Sequence, residues 1–217
     1  MRHLFRVSEV WHDPAPRLGQ AASLVAVVVL LEATAFAVRK GWGLDPFLVL
    51  GTARGIEGIL LLILGPWSLR GPDCRAAAGK SLGSALAIAA CGLAFLGIWK
   101  GLVSFPPPGL PGRPHPPPAG WGVFLFTTCI ASPVAEELVF RGLLYRGLRL
   151  RCSLPISMVL VSLGFAGLHV IFGGPFLVPL AGSMLFCAVY EKEKIFVAPV
   201  LLHVLGNGIL FLSPFMF

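Results

Sequence analysis

The chain has 217 residues, of which 56% are apolar and only 12% charged, with a formal net charge of +7. A soluble domain of this size carries about twice that share of charge, so a water-coated globular enzyme is excluded, and so is a disordered chain. The composition is that of an integral membrane protein, with the lipid bilayer as its first partner.

Residues 1–20 read as a cytoplasmic leader, and seven hydrophobic runs follow. Three of them fill residues 21–99: Ala21 to Val38, Pro46 to Leu64, and Leu82 to Trp99. Residues 100–120 form a loop in which eight of the thirteen positions from Pro106 to Pro118 are proline, a stiff extended spacer that cannot be helical. Four more runs fill residues 121–215: Trp121 to Leu148, Pro155 to Phe172, Phe176 to Tyr190, and Ile195 to Phe215. Runs this long and continuous suit transmembrane helices rather than barrel strands. The expected fold is one all-α, polytopic membrane bundle of about seven helices, whose last four form the working core. The Phe176–Tyr190 run is short, and Pro133 predicts a break or kink in the fourth run, with Ser132 as a candidate cap.

Ala33-Thr34-Ala35 looks like a signal cleavage site, but Glu9, Asp13 and Glu32 fit a retained anchor better. Lys and Arg set the orientation. Arg2, Arg6, Arg17, Arg70, Arg75, Lys80, Arg146, Arg149, Arg151, Lys192 and Lys194 lie on one set of flanks. Only Arg39, Lys40, Lys100 and Arg113 lie on the other. The excess places the N-terminus in the cytoplasm. Basic residues confined to such flanks meet lipid head groups, and no nucleic-acid motif accompanies them. The five cysteines (Cys74, Cys91, Cys129, Cys152, Cys187) are scattered without C-x-x-C, so neither a disulfide framework nor a cysteine metal site is expected.

Ionisable side chains inside apolar runs are costly, and they mark function or tight pairing. They gather in two places. Glu32, Arg54 and Glu57 fall in the first two runs; Arg54 and Glu57 are three apart, and a structural ion pair is the favoured reading. The second group lies on three later runs: Glu136-Glu137 with Arg141, Phe165 with His169, and His203 with Asn207. Glu137 and Arg141, four apart, share a helix face and can pair, whereas Glu136 points elsewhere. A buried Glu helped by a His can act as general base on water, and a His and Asn one turn apart can serve a tetrahedral oxyanion. Backbone groups freed by Pro133 would admit the water. That chemistry is peptide-bond hydrolysis. Packing glue is the competing reading. A transporter would show repeats and paired broken helices, which are absent from the sequence.

The ordered set E-E-x-x-x-R, F-x-x-x-H and H-x-x-x-N resembles the CPBP family, which includes CAAX prenyl endopeptidases and bacteriocin-processing or self-immunity proteins. The resemblance covers about residues 121–215. It implies a glutamate-type intramembrane endopeptidase in which Glu136 activates water with His169, His203 and Asn207 stabilise the oxyanion, and Glu137, Arg141 and Phe165 support them. It also implies a membrane-anchored protein or peptide substrate cut near its C-terminal anchor. The chain is similar to compact bacterial members of the myxosortase-like kind, which would place it in the bacterial cytoplasmic (inner) membrane; a prenylated CAAX substrate and a non-catalytic immunity or partner-binding role are the alternatives. No cofactor is expected. The family has also been called metalloproteases, and zinc stays open, although there is no H-E-x-x-H and the candidates lie on separate helices.

Overall fold

The computed structural model describes residues 18–65, 83, 86, 90 and 118–216. Among the described residues six continuous helices run in chain order: α1 (Leu18–Trp42), α2 (Pro46–Leu64), α3 (Gly120–Arg149), α4 (Leu154–Ile171), α5 (Leu177–Glu193) and α6 (Val197–Met216). No strand occurs among the described residues. Four of the helices, α1 to α4, are long and apolar enough to cross a membrane. The expected third run, Leu82 to Trp99, lies outside the described residues except Gly83, Leu86 and Ala90, which are helical. Residues 1–17 of the leader and 100–117 of the proline-rich loop also lie outside them, while Leu18–Gln20, expected in the leader, already belong to α1.

The molecule is turned inside out relative to a soluble protein. Glu57, Glu137 and Arg141 have no exposed surface, while Ile63, Ile171 and Leu177 are more than 70% exposed. In water such an apolar coat would aggregate. In hydrocarbon it is the low-energy surface, and the polar groups must satisfy one another inside. This is an integral membrane protein built as an α-helical bundle.

Helix α3 is the axis of the bundle and touches each of the other five. Its seam with α2 is fixed by sequence-local chemistry. Pro46 opens α2 at a position that needs no N–H. Asp45 Oδ1 accepts from the Phe47 and Leu48 N–H groups at 2.9 Å each. The same carboxylate, through Oδ2, takes the Ala119 N–H at 3.1 Å. Thr127 Oγ1 then donates to the Phe47 carbonyl at 3.1 Å. Gly51 lies against Thr127 so closely that a methyl group there would strike its hydroxyl. Helices α2 and α3 therefore start side by side and run in the same direction.

Pro133 does not break α3. The helix continues with regular angles through Ala131 (φ −63°, ψ −48°) and Ser132 (φ −63°, ψ −51°), so Ser132 is interior and caps nothing. The chain absorbs the proline by widening. Residues Thr127–Ala131 form a π turn, in which the Ser132 N–H reaches back to the Thr127 carbonyl. The next donor in that register would be Pro133, which has no N–H. The Thr128 carbonyl is thereby left without a helix partner. A second wide stretch follows at Leu138–Tyr145. π turns of this kind are rare and recur at functional sites.

Candidate active site

The second wide stretch carries Arg141. Its Nη1 donates to Glu137 Oε1 at 2.9 Å, and its Nη2 donates to Ser183 on α5, to the hydroxyl at 2.7 Å and the carbonyl at 3.0 Å. Phe165 of α4 and Phe186 of α5 lie on the guanidinium, each ring centre 5.1 Å from Cζ. A fully buried ion pair depends on hydrogen bonds that meet its remaining polar atoms. Here Nη1 and Nη2 are met by a carboxylate, a hydroxyl and a carbonyl, and two aromatic faces cover the guanidinium, while Arg141 Nε and Glu137 Oε2 are buried without a partner. The expected i, i+4 pair is present, and its partners on α5 are new.

His203 of α6 completes the group. Its Nδ1 is 2.8 Å from the same Glu137 Oε1. A carboxylate accepts and does not donate, so Nδ1 carries a hydrogen, and in the tautomer with no second ring hydrogen Nε2 is an acceptor. Nε2 faces Glu136 Oε2 at 3.8 Å. Phe186 stacks on the imidazole at 4.7 Å, and Phe165 meets it edge-on at 5.7 Å. The tandem acids thus divide as helical geometry requires. Glu137 is fully buried and holds Arg141 and His203. Glu136 keeps 18% of its side chain exposed and faces His203 Nε2.

Asn207, one turn beyond His203, donates from Nδ2 to the Thr128 carbonyl at 2.8 Å. That carbonyl is the one orphaned by Pro133. The freed backbone group was expected to draw in water; it is met by the Asn207 amide instead. An amide carries two hydrogens, so one fixes the side chain and the other is left for a further acceptor.

His169 is the outlier. Its Nδ1 bonds the Phe165 carbonyl one turn earlier on α4 at 2.9 Å, and its ring lies 4.6 Å from that of Phe165. Among the described residues no hydrogen bond or ion pair joins it to Glu136. Phe165 is the hinge of the arrangement, touching Phe140, Arg141, His169 and His203. Of the seven residues expected in the site, Glu136, Glu137, Arg141, Phe165 and His203 form one contact network, His169 joins it through the Phe165 ring, and Asn207, one turn beyond His203, is held to the Thr128 carbonyl instead. Sequence reasoning missed Ser183, Phe186 and Thr128, none of which stands in a recognisable motif. Among the described residues no group of three or more His, Cys, Asp or Glu side chains is arranged to hold a metal ion.

The other charged place is also assembled. Arg54 Nη1 lies 2.9 Å from Glu57 Oε2 and 3.1 Å from Glu32 Oε1. The i, i+3 pair and the neighbouring first helix are as expected.

A family model described as type II CAAX prenyl endopeptidase Rce1-like matches residues 118–209. No curated protein and no solved structure gives a significant match. The matched segment runs from the turn before α3 into α6 and contains every residue expected in the site. Over residues 118–209, somewhat under half of the chain, the protein is similar to the type II CAAX prenyl endopeptidases of the CPBP family.

Proposed function

We propose that the protein is a glutamate-type intramembrane endopeptidase that hydrolyses a peptide bond close to the membrane anchor of a protein substrate. The observation that carries this reading is the 3.8 Å gap between Glu136 Oε2 and His203 Nε2. Two acceptors at that separation fit one water between them, giving a hydrogen to each. Glu136 takes a proton from that water as the oxygen attacks the carbonyl carbon. The second Asn207 hydrogen is assigned to the oxyanion that forms. Glu136 then returns the proton to the departing amine. Glu137 holds His203 in the tautomer this scheme needs. His169 keeps its place in the set, since catalytic hydrogen bonds commonly tighten only when substrate binds, and its Nδ1 anchor leaves Nε2 to serve.

The experiment uses the full chain in liposomes of bacterial lipid with two quenched fluorogenic probes. One is a farnesylated peptide ending in Cys-aliphatic-aliphatic-X; the other is a non-prenylated hydrophobic tail with a basic end. Wild-type protein cleaves at least one of them. Glu136→Gln abolishes that cleavage while the protein inserts and melts as before, and Asn207→Ala slows it roughly ten- to a thousandfold. Cleavage by Glu136→Gln at the wild-type rate overturns the mechanism. The preferred probe identifies the substrate class.

A further inference from the structure

Adjacent threonines hold α3 from two sides. Thr127 serves α2: its hydroxyl donates to the Phe47 carbonyl at 3.1 Å, and Gly51 lies against its side chain. Thr128 serves α6: its carbonyl accepts from Asn207 Nδ2 at 2.8 Å. Phe211, one turn beyond Asn207, meets Phe124 edge-on at 5.2 Å and keeps α6 on the same stretch. The seam with α2 thus makes the Thr128 carbonyl a fixed anchor for the amide. A helix carbonyl is ordinarily spent on a backbone N–H. Two such donors could claim this one. In the α register the claimant is the Ser132 N–H, but that group goes to Thr127. In the wide register the claimant is residue 133, which is proline. Pro133 is fully buried, so an N–H restored there would have no water to bond and would need a nearby carbonyl.

We propose that Pro133 is a positioning residue for Asn207. By withholding the backbone donor that the wide turn would bring to Thr128, it reserves that carbonyl for the Asn207 amide, and so fixes the group whose second hydrogen is assigned to the oxyanion. The catalytic consequence rests on the protease reading; the coupling between Pro133 and Asn207 does not. With alanine at 133 a backbone N–H returns to Thr128, either in the wide register or through relaxation of the turn to the α register, and Asn207 loses its sole claim. A proline that merely shapes the helix would change stability without regard to Asn207.

Two measurements test this. The first needs no substrate. Pro133→Ala, Asn207→Ala and the double variant are melted in the same detergent. Asn207→Ala strands the Thr128 carbonyl when residue 133 is proline, but not when residue 133 donates to it. The double variant therefore melts more than about 2 °C above the value that the summed single shifts give. Additive shifts overturn the proposal. The second uses whichever fluorogenic probe the wild type cleaves. Pro133→Ala lowers kcat roughly five- to fiftyfold with KM within about twofold, and it adds less than about twofold to the loss caused by Asn207→Ala, since no amide is then left to position. Lactic acid placed at position 133 by nonsense suppression lacks both the N–H and the ring. That form keeps kcat within about threefold of wild type, because Asn207 depends on the missing donor and not on the ring. An unchanged kcat in Pro133→Ala, independent losses in the double variant, or a lactic acid form as slow as Pro133→Ala overturns the proposal. If the wild type cleaves neither probe, the protease reading fails and the melting cycle alone decides whether Pro133 acts on Asn207.

Discussion

The two adjacent acids differ in what each would cost to lose. Glu137 is fully buried, and one of its oxygens accepts from both Arg141 and His203. Replacing it with Gln leaves the Arg141 charge buried without a counter-charge, a loss of roughly 3–5 kcal/mol in comparable pairs. Glu136 makes no hydrogen bond that anchors the fold and is partly exposed, so Glu136→Gln costs less than about 1 kcal/mol. Denaturation of the two variants in mild detergent checks this. Equal losses would mean that the acids share one structural role. The separation was legible in the sequence because an i, i+4 spacing and an i, i+5 spacing from Arg141 point in different directions on any helix. The double use of Glu137 was not legible, since it depends on where α6 lies. Nor was the diversion of His169 to its own helix backbone, because a local carbonyl four residues back competes for an imidazole wherever α4 is not held tightly against α3.

Helix limits followed from apolar runs, and the second run, Pro46 to Leu64, coincides with α2 because Asp45 and Pro46 form a start signal. The response of α3 to Pro133 did not follow, because a missing donor can be met by a kink or by a wider turn. The Asn207 amide on a distant helix favours the second. A comparable cross-helix device closes the other end of α3. Glu191, just past the sixth apolar run, accepts from Tyr145 Oη at 2.8 Å and Arg149 Nη2 at 3.0 Å, and it pairs with Lys194 at 2.7 Å. Arg149 also donates to the Cys152 carbonyl in the turn that leads to α4. Lys194 itself ends α5 in the left-handed region at φ 56°. Burial pushes the Glu191 carboxyl up, but the hydrogen bonds from Arg149, Lys194 and Tyr145 outweigh it and hold the group below the ordinary carboxylate range. A depressed carboxyl stabilises the fold above its unfolded-state value and loses that contribution as the pH falls through the folded one. Melting temperature should therefore drop on acidification below about pH 4.5, and Glu191→Gln should be less stable at pH 7 and lose less on the same acid titration. A parallel acid dependence in both proteins would show that this knot bears no load.

At the scale of the molecule, the membrane class and the all-helical bundle were readable from composition alone, because 12% charge cannot coat a surface in water. The arrangement of the helices was not, since lipid-facing runs look alike and only a few polar contacts give α3 its neighbours. Those contacts also fix the two ends of the bundle. One end holds the α1–α2 turn with Arg39 and Lys40, together with Ala119 at the start of α3. The other holds Arg146, Arg149, Arg151, Lys192 and Lys194, beside the Gln20–Leu64 contact between the start of α1 and the end of α2. From the positive-inside bias we propose that the second end faces the cytoplasm and the first the outside. Leu44 is exposed at the first end, and Lys192 is 78% exposed at the second. With the five native cysteines replaced, Leu44→Cys in intact cells should react with a membrane-impermeant maleimide. Lys192→Cys should react only after the cells are opened. The reverse pattern would invert the bundle. It would also move the approach to Glu136 to the opposite face, because α3 places that residue about 24 Å along its axis from Gly120 at 1.5 Å per residue. Labelling at both positions in intact cells would mean that the helices do not hold one orientation, and a site assembled from α3, α4 and α6 at a fixed depth could not then meet an anchored substrate from a single side.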